Sequence, residues 1–164
     1  MDIELSKIVI RKVEETDISI MTEHRLNYLT QLQGERSDDY KKTLTEELEA
    51  YFRMSMAEGS FFALMAVYEG KALAFGAMVI KKIPGDFNRA SYLEGDILNM
   101  YTVPEARRKG ISSMILSQLL KHAAKMGISK VALHTSQDGE KLYRKFGFHD
   151  PVYPVLEMVI KASV

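Results

Sequence analysis

Three consecutive cations and a glycine are the residues of this sequence whose types and spacing could do chemistry most directly. Arg107, Arg108 and Lys109 precede Gly110, and together they join a strand-like segment to an amphipathic helix. Backbone N–H groups in the first turn of a helix have no helical partners, and the helix dipole favours negative charge there. Gly110 would let the backbone approach a ligand closely. The pattern predicts an anion-binding loop; the alternative is an ordinary exposed turn.

The charge distribution favours a small polyanionic ligand over nucleic acid. Lys and Arg number 22, as do Asp and Glu, so the chain carries no net charge that would attract nucleic acid. The segment from Arg107 to Lys130 nevertheless contains six positive residues and no acidic one. Its spacing matches neither the Walker phosphate-binding loop nor the dinucleotide fingerprint.

Several classes of protein are excluded or disfavoured by composition. The chain has no cysteine, which excludes a disulfide scaffold, a thiolate metal site and a cysteine nucleophile. Its four histidines lack ligand spacing, so we expect no metal. The first ten residues do not resemble a signal peptide, and no apolar run is long enough to span a bilayer. We therefore expect a cytoplasmic protein that does not bind a membrane.

Apolar periodicity predicts the elements that must position the loop. The length of 164 residues suits a single domain, residues 1–164. The predicted order is β-α-α-β-β-β-α-β-α-β, which indicates an α/β fold with helices on both faces of a mixed central sheet. The predicted strands are Lys7–Val13, Phe61–Tyr68, Ala72–Ile80, Glu94–Val103, Lys130–Thr135 and Val155–Ile160. The predicted helices are Ile18–Leu32, Tyr40–Glu58, Ile111–Met126 and Gly139–Phe146, and Lys82–Ser91 is predicted to be a loop.

The loop and two later motifs resemble one known family. Arg107-Arg108-Lys109-Gly110-Ile111-Ser112 is similar to the [RQ]-x-x-G-x-[GA] loop of the GNAT superfamily of N-acetyltransferases. The Leu142-Tyr143 and Gly147-Phe148 pairs follow in the order typical of that family. The resemblance is strong from Gly95 to Phe148 and looser before Phe61. It implies a GNAT-like fold and transfer of an acetyl group from acetyl-CoA, a co-substrate, to a primary amine by direct attack in a ternary complex.

The resemblance also implies where acetyl-CoA would bind. Backbone groups of Met100 and Thr102 would pair with the pantetheine arm, in a gap between the predicted strands Glu94–Val103 and Lys130–Thr135. The amide near Met100 would polarise the thioester carbonyl, and N–H groups from Arg107 to Ser113 would cradle the pyrophosphate. Ser112 replaces the usual Gly or Ala, and its hydroxyl could cap the helix, touch a phosphate or crowd it. The implied binding residues are Met100, Tyr101, Thr102, Arg107, Arg108, Lys109, Gly110, Ile111, Ser112, Ser113 and Ser136.

Three residues are candidates for proton transfer. In Leu142–Phe148, which resembles the L-Y-x-x-x-G-F segment of the family, Tyr143 would donate to the leaving thiolate; the alternative is a tyrosine that only packs on the sheet. A protonated amine needs a proton acceptor before it can attack. Asp96 lies where some relatives carry a base, and Glu94 would share its side of a regular strand. Either carboxylate could instead be a solvated strand end, with a water relay as the base.

The remaining hypotheses concern alternatives and partners. Ser136 stands where the family often has Asn, and it would cap the helix at Gly139 or bind the arm. The acceptor is expected to be a small molecule. A non-catalytic acyl-CoA binding or sensing module, and an acetyltransferase acting on protein N-termini or lysines, are the alternative functions. The hairpin edge and the last strand are candidate surfaces for a homodimer.

Overall fold

A five-stranded mixed sheet organises the first part of the chain. The computed structural model describes residues 3–87 and 90–160, and it divides into two compact units, Met1–His134 and Thr135–Val164. The sheet, in the first unit, has the order β1-β2-β3-β4-β5, with β4 and β5 parallel and the other neighbours antiparallel. The strands are β1 Val9–Lys12, β2 Phe61–Tyr68, β3 Lys71–Pro84, β4 Ser91–Thr102 and β5 Ile128–Ala132.

Four helices accompany the sheet in the chain, and their ends follow local rules. They are α1 Ile18–Gln33, α2 Asp38–Glu58, α3 Ile111–Lys125 and, in the second unit, α4 Gln137–Lys145. Ser37 caps α2 by accepting a hydrogen bond from the Tyr40 N–H. Gly59 and Gly127 follow the ends of α2 and α3 in the left-handed conformation, which glycine adopts readily.

Helices cover both faces of the sheet, as predicted. The interior strand β2 is buried over nearly its whole length, so it lacks the alternation of a strand with one solvent-exposed face. The α3 face is filled by Leu64, Ala66, Ala74, Ile115 and Leu119, among others. The opposite face, covered by α1 and α2, includes Ile18, Met21, Phe52, Ala63, Met65 and Phe75. The predicted α/β class with a mixed sheet between helices is confirmed.

A β-bulge interrupts the pairing of β3 with β4. Ala77 lies opposite Leu98, but Phe75 lies opposite Tyr101, so β4 has two residues, Asn99 and Met100, where β3 has only Gly76. Asn99 has a φ of 53°, a left-handed conformation that Asn tolerates better than most residues. The bulge therefore resets the side-chain alternation of β4 immediately before the strand ends.

The two parallel strands separate beyond Asp96. The parallel register runs from Leu93 opposite Ile128 to Asp96 opposite Ala132, where β5 ends. β4 continues to Thr102, so Ile97–Thr102 has no β5 partner among the residues that the structure describes. Pairing of the two strands therefore ends at Asp96, and the expected gap beyond it stays a prediction.

Two predicted segments are wrong. Val155–Ile160 is not a strand, and the apolar side chains of this region are at least 68% exposed. Their β-forming composition misled the prediction, because such propensity reflects packing on a sheet and does not supply a partner strand. The predicted loop Lys82–Ser91 is shorter, because pairing of β3 with β4 continues to Pro84 opposite Ser91. The exposed apolar residues are Val152, Tyr153, Val155, Leu156, Met158, Val159 and Ile160.

Gly76→Ala is expected to lower the free energy of unfolding by about 1–3 kcal/mol, because it overpacks the contact between β3 and α3. An added Cβ would lie 2.5 Å from Ile115 Cγ2 and 2.8 Å from Leu119 Cδ1. Gly95→Ala is the matched control, since the three atoms nearest its Cβ all belong to the flexible Met78 side chain. Urea unfolding followed by circular dichroism measures both losses. An equal or larger loss for Gly95→Ala would contradict this account.

Candidate functional site

The loop before α3 presents a row of backbone donors without acceptors. Arg108 and Gly110 have φ values of 59° and 82°, and α3 begins at Ile111. The first bond that enters the helix is donated by the Met114 N–H to the Gly110 carbonyl, at 3.1 Å. Within residues 3–87 and 90–160, no group accepts a hydrogen bond from the six N–H groups of residues 108–113. A helix N-terminus with free donors is suited to bind an anion.

The three cationic residues of the loop differ in their contacts. Arg107 donates from Nε to the Thr102 carbonyl at 2.9 Å and from Nη2 to Gln31 Oε1 at 2.7 Å, and its guanidinium lies 5.6 Å from the centre of the Tyr101 ring. These contacts tie the loop to α1 and to the end of β4. Arg108 and Lys109 form no ion pair with any described residue, so their charges are available to a ligand.

Ser112 joins α3 to the end of β4. Its hydroxyl lies 2.9 Å from the Thr102 hydroxyl, and it does not cap the helix. The hydroxyl is thus directed toward the protein and stabilises the approach of the helix to the strand. This contact explains structurally why a serine occupies a position where the resemblance implies Gly or Ala.

The last residues of β4 direct backbone groups toward the side that β5 has left. The Val103 N–H donates to the Leu73 carbonyl, on the β3 side, at 2.9 Å. Because successive residues of an antiparallel strand alternate, the N–H and C=O of Thr102 point the other way. The Tyr101 side chain lies on the α1 face, where its hydroxyl accepts a hydrogen bond from Gln31 Nε2 at 3.3 Å. Any contact of Tyr101 with a ligand in the gap would therefore use its backbone.

Both candidate bases are paired with lysines. Asp96 lies 2.7 Å from Lys81 Nζ, and Glu94 lies 2.7 Å from Lys130 Nζ. The bulge lies beyond both carboxylates, so the expected common side of β4 is preserved. Asp96 lies opposite Val79, which packs against the core that α1 and α2 cover. Asp96 is thus at the fork of the strands and on the α1 face of the sheet.

The second unit contains the other two predicted residues. Ser136 caps α4 by accepting a hydrogen bond from the Gly139 N–H at 3.3 Å. The Tyr143 side chain is buried, and its ring packs edge-on against Phe148 at 5.7 Å. The cap accounts for Ser136 structurally, and the catalytic role of Tyr143 stays a prediction.

Sequence reasoning missed a polar cluster between α1 and the bulge. Arg25 donates from Nη1 to Asn99 Oδ1, and the adjacent His24 is buried against the rings of Phe75 and Tyr101. Burial lowers the pKa of both His24 and Arg25. Two features of the sequence could have indicated this cluster. One is the amide of Asn99 within an apolar run of β4, and the other is the presence of polar residues in the apolar stripe of α1. These polar groups lie on the same face as Asp96.

The described residues contain no group of three or more His, Asp or Glu side chains that could hold a metal ion. No helix in residues 3–87 or 90–160 is long and apolar enough to cross a membrane.

The buried imidazole of His24 is expected to make stability depend on pH. Burial, the dominant effect, lowers the pKa of His24, while Glu23 and Glu105 act in the opposite direction. In the unfolded chain the imidazole titrates near pH 6.5. The folded state therefore binds fewer protons, and stability should be lost as pH falls below about 6.5 toward the lowered pKa of the folded state.

The His24→Gln variant removes this titration and is the comparison for the wild type. Free energies of unfolding are measured with urea from pH 8 to pH 5. Below about pH 6.5 the wild type should lose more stability than the variant as pH falls. Asp17, whose pKa is lowered by its hydrogen bonds with Arg11, titrates below this range in both proteins. Parallel curves would contradict a buried neutral imidazole.

Comparisons with known proteins indicate one family. The sequence model described as the Acetyltransferase (GNAT) family matches residues 27–148. No curated protein matches the chain. A predicted acetyltransferase with acetyl-CoA from Clostridium acetobutylicum is 29% identical, with a TM-score of 0.79 over 93% of this chain and 96% of that one.

Two more distant solved structures share the fold. A GCN5-related N-acetyltransferase from Ralstonia eutropha JMP134 is 20% identical, with a TM-score of 0.75 over 92% of this chain and 98% of that one. Glucosamine-6-phosphate N-acetyltransferase from Arabidopsis thaliana is 23% identical, with a TM-score of 0.66 over 95% and 99%. The family match spans most of the sequence, including the donor loop and the fork. The chain therefore belongs to the GNAT acetyltransferase family.

Proposed function

We propose that this protein transfers the acetyl group of acetyl-CoA to the primary amine of a small molecule by direct attack in a ternary complex. One observation carries the proposal: six N–H groups, of residues 108–113, have no acceptor in the described part of the chain, and they lie at the start of α3, where β4 continues without β5. A diphosphate requires many donors, and a pantetheine arm requires an extended backbone edge. The fold brings both features together within one short segment.

The residues present fit the parts of acetyl-CoA. The donors of residues 108–113, with the uncompensated charges of Arg108 and Lys109, suit the diphosphate. The outward backbone groups of Met100 and the N–H of Thr102 suit an arm that adds along the edge of β4 in place of β5. Arg107 holds this edge by its bonds to Thr102 and Gln31 and contributes its charge nearby.

The reaction requires one proton acceptor and one proton donor. The amine nitrogen attacks the thioester carbonyl carbon, forming the C–N bond, and the C–S bond breaks to release the CoA thiolate. In this proposal Asp96, at the fork, accepts the amine proton directly or through a water, with Glu94 as the second candidate. The Met100 amide donates to the developing oxyanion. Tyr143 donates a proton to the thiolate.

The cytoplasmic location, the homodimer and the single domain spanning residues 1–164 stay predictions. The exposed apolar residues of 152–160 and the outer edge of the sheet are the surfaces on which a dimer would be sought.

Gly110→Ala should weaken binding of acetyl-CoA by about tenfold or more, because an L side chain resists the left-handed backbone that aims the donors. Gly127→Ala is the matched control, since it imposes the same kind of strain at φ 76°, at the other end of α3. Isothermal titration calorimetry with acetyl-CoA compares the two. Equal affinities for both variants and the wild type would contradict the placement of the diphosphate.

Tyr143→Phe should lower kcat by about a hundredfold and leave the Kd for acetyl-CoA nearly unchanged, because general acid catalysis acts on the chemical step. Tyr153→Phe, at an exposed tyrosine of the same unit, is the control. CoA release over a panel of primary amines measures both. A wild-type protein that binds acetyl-CoA and transfers nothing to any amine or peptide would instead support the sensing module.

Asp96→Asn should lower kcat more than Glu94→Gln does, because Asp96 lies at the fork and Glu94 lies two residues farther from it. The comparison is matched, since each substitution removes a carboxylate that is paired with a lysine. Profiles of kcat/KM against pH, recorded with one amine, separate loss of a base from loss of an ion pair. An unchanged acid limb in Asp96→Asn would exclude Asp96 as the base.

A further inference from the structure

The cluster between α1 and the bulge contains a cation without a counter-ion. Arg25 is partly buried, and no Asp or Glu among the described residues forms an ion pair with it. Its one hydrogen bond goes to a neutral acceptor, Asn99 Oδ1. Withdrawing a charge from water without giving it a partner is unfavourable, and proteins seldom bear that cost without a use for the charge.

Unused donors accompany this charge. Arg25 Nε and Asn99 Nδ2 are both buried, and neither has an acceptor within residues 3–87 and 90–160. Because Asn99 already accepts from the guanidinium, its amide nitrogen remains to donate elsewhere. Donors of two residues and a positive charge thus meet at the bulge, where no carboxylate of residues 3–87 or 90–160 pairs with them.

The cluster lies on the side where an acceptor would meet the proposed base. Asn99 and Asp96 are on the α1 face of the sheet, and three residues of β4 span roughly 10 Å. Met100, the proposed oxyanion donor, is the next residue after Asn99. A small molecule could therefore have its amine near the fork while a second group reaches Arg25.

We propose that Arg25, with Asn99, recognises a carboxylate on the acceptor, so that the substrate is an amine that also carries a carboxylate. This inference rests on the proposed acetyl transfer and specifies the substrate class. A guanidinium matches a carboxylate in charge and planar geometry. A phosphate is disfavoured because it would call for further cations, and the nearby Arg107 is already bonded to Gln31 and Thr102.

The test compares each amino acid with its own carboxamide, which has the same length and lacks the negative charge. Amino acids of increasing length, from glycine to 6-aminohexanoate, are compared with their carboxamides and with amines that carry a phosphate. The wild type should favour the carboxylate over the carboxamide by at least about tenfold in kcat/KM, mainly through KM. Arg25→Gln should reduce this ratio to about one, and Arg25→Lys should retain part of it.

Three comparisons separate recognition from a structural role. Arg53→Gln, at an exposed arginine of α2, should keep the wild-type preference. When 4-aminobutyrate is added to protein already saturated with CoA, thermal shifts measured without turnover should show further stabilisation of the wild type and none of Arg25→Gln. Arg25→Met should be at least as stable as the wild type, because it removes an uncompensated buried charge.

The outcomes distinguish this inference from the proposed function. Acetylation of amines without a preference for the carboxylate would overturn the role of Arg25 and leave acetyl transfer standing. A preference for phosphate-bearing amines, or a preference that persists in Arg25→Gln, would also overturn it. Binding of acetyl-CoA without transfer to any amine would overturn the proposed function itself.

Discussion

The separation of β4 from β5 is the constraint on which the rest of the site depends. Backbone polar groups in a sheet are normally paired, and here the pairing stops at Asp96 while β4 continues for six residues. The next segment, the loop before α3, also has N–H donors for which the described residues supply no acceptor. Both sets belong to one stretch of chain, so an extended ligand with an anionic end can satisfy them together. The site is therefore made mainly of backbone.

Such a site requires a rigid support, because unpaired backbone N–H and C=O groups would otherwise form hydrogen bonds with each other or with water. The absence of a side chain at Gly76 lets α3 pack closely on β3, which places the helix N-terminus beside the end of β4. Ser112 and Thr102 join helix and strand, and Arg107 joins the loop to Gln31 of α1. These contacts fix the direction of the donors from three sides. Packing in the core thus determines geometry at the surface.

The sequence predicted the parts of this arrangement that depend on local pattern. The periodicity of α3 and the cations before Gly110 were sufficient to place the donor loop, whereas the gap beside β4 came from the family resemblance alone. The bulge at Asn99 was not predicted, because it depends on the register between β3 and β4. The last strand was predicted wrongly, since apolar residues at 155–160 indicate burial without naming a partner. The local sequence pattern does not specify which strands pair with each other across the sheet.

The bulge explains why Arg25 and Asn99 belong together. In a regular strand, Leu98 and Asn99 would point to opposite faces, and the amide would enter the apolar core beneath α3. The extra residue instead places both on the α1 face, where Leu98 joins the core and Asn99 meets Arg25. Met100 then faces α3. One inserted residue thus positions the proposed oxyanion donor beside the proposed carboxylate site, so that acceptor recognition and acetyl transfer depend on the same distortion of β4.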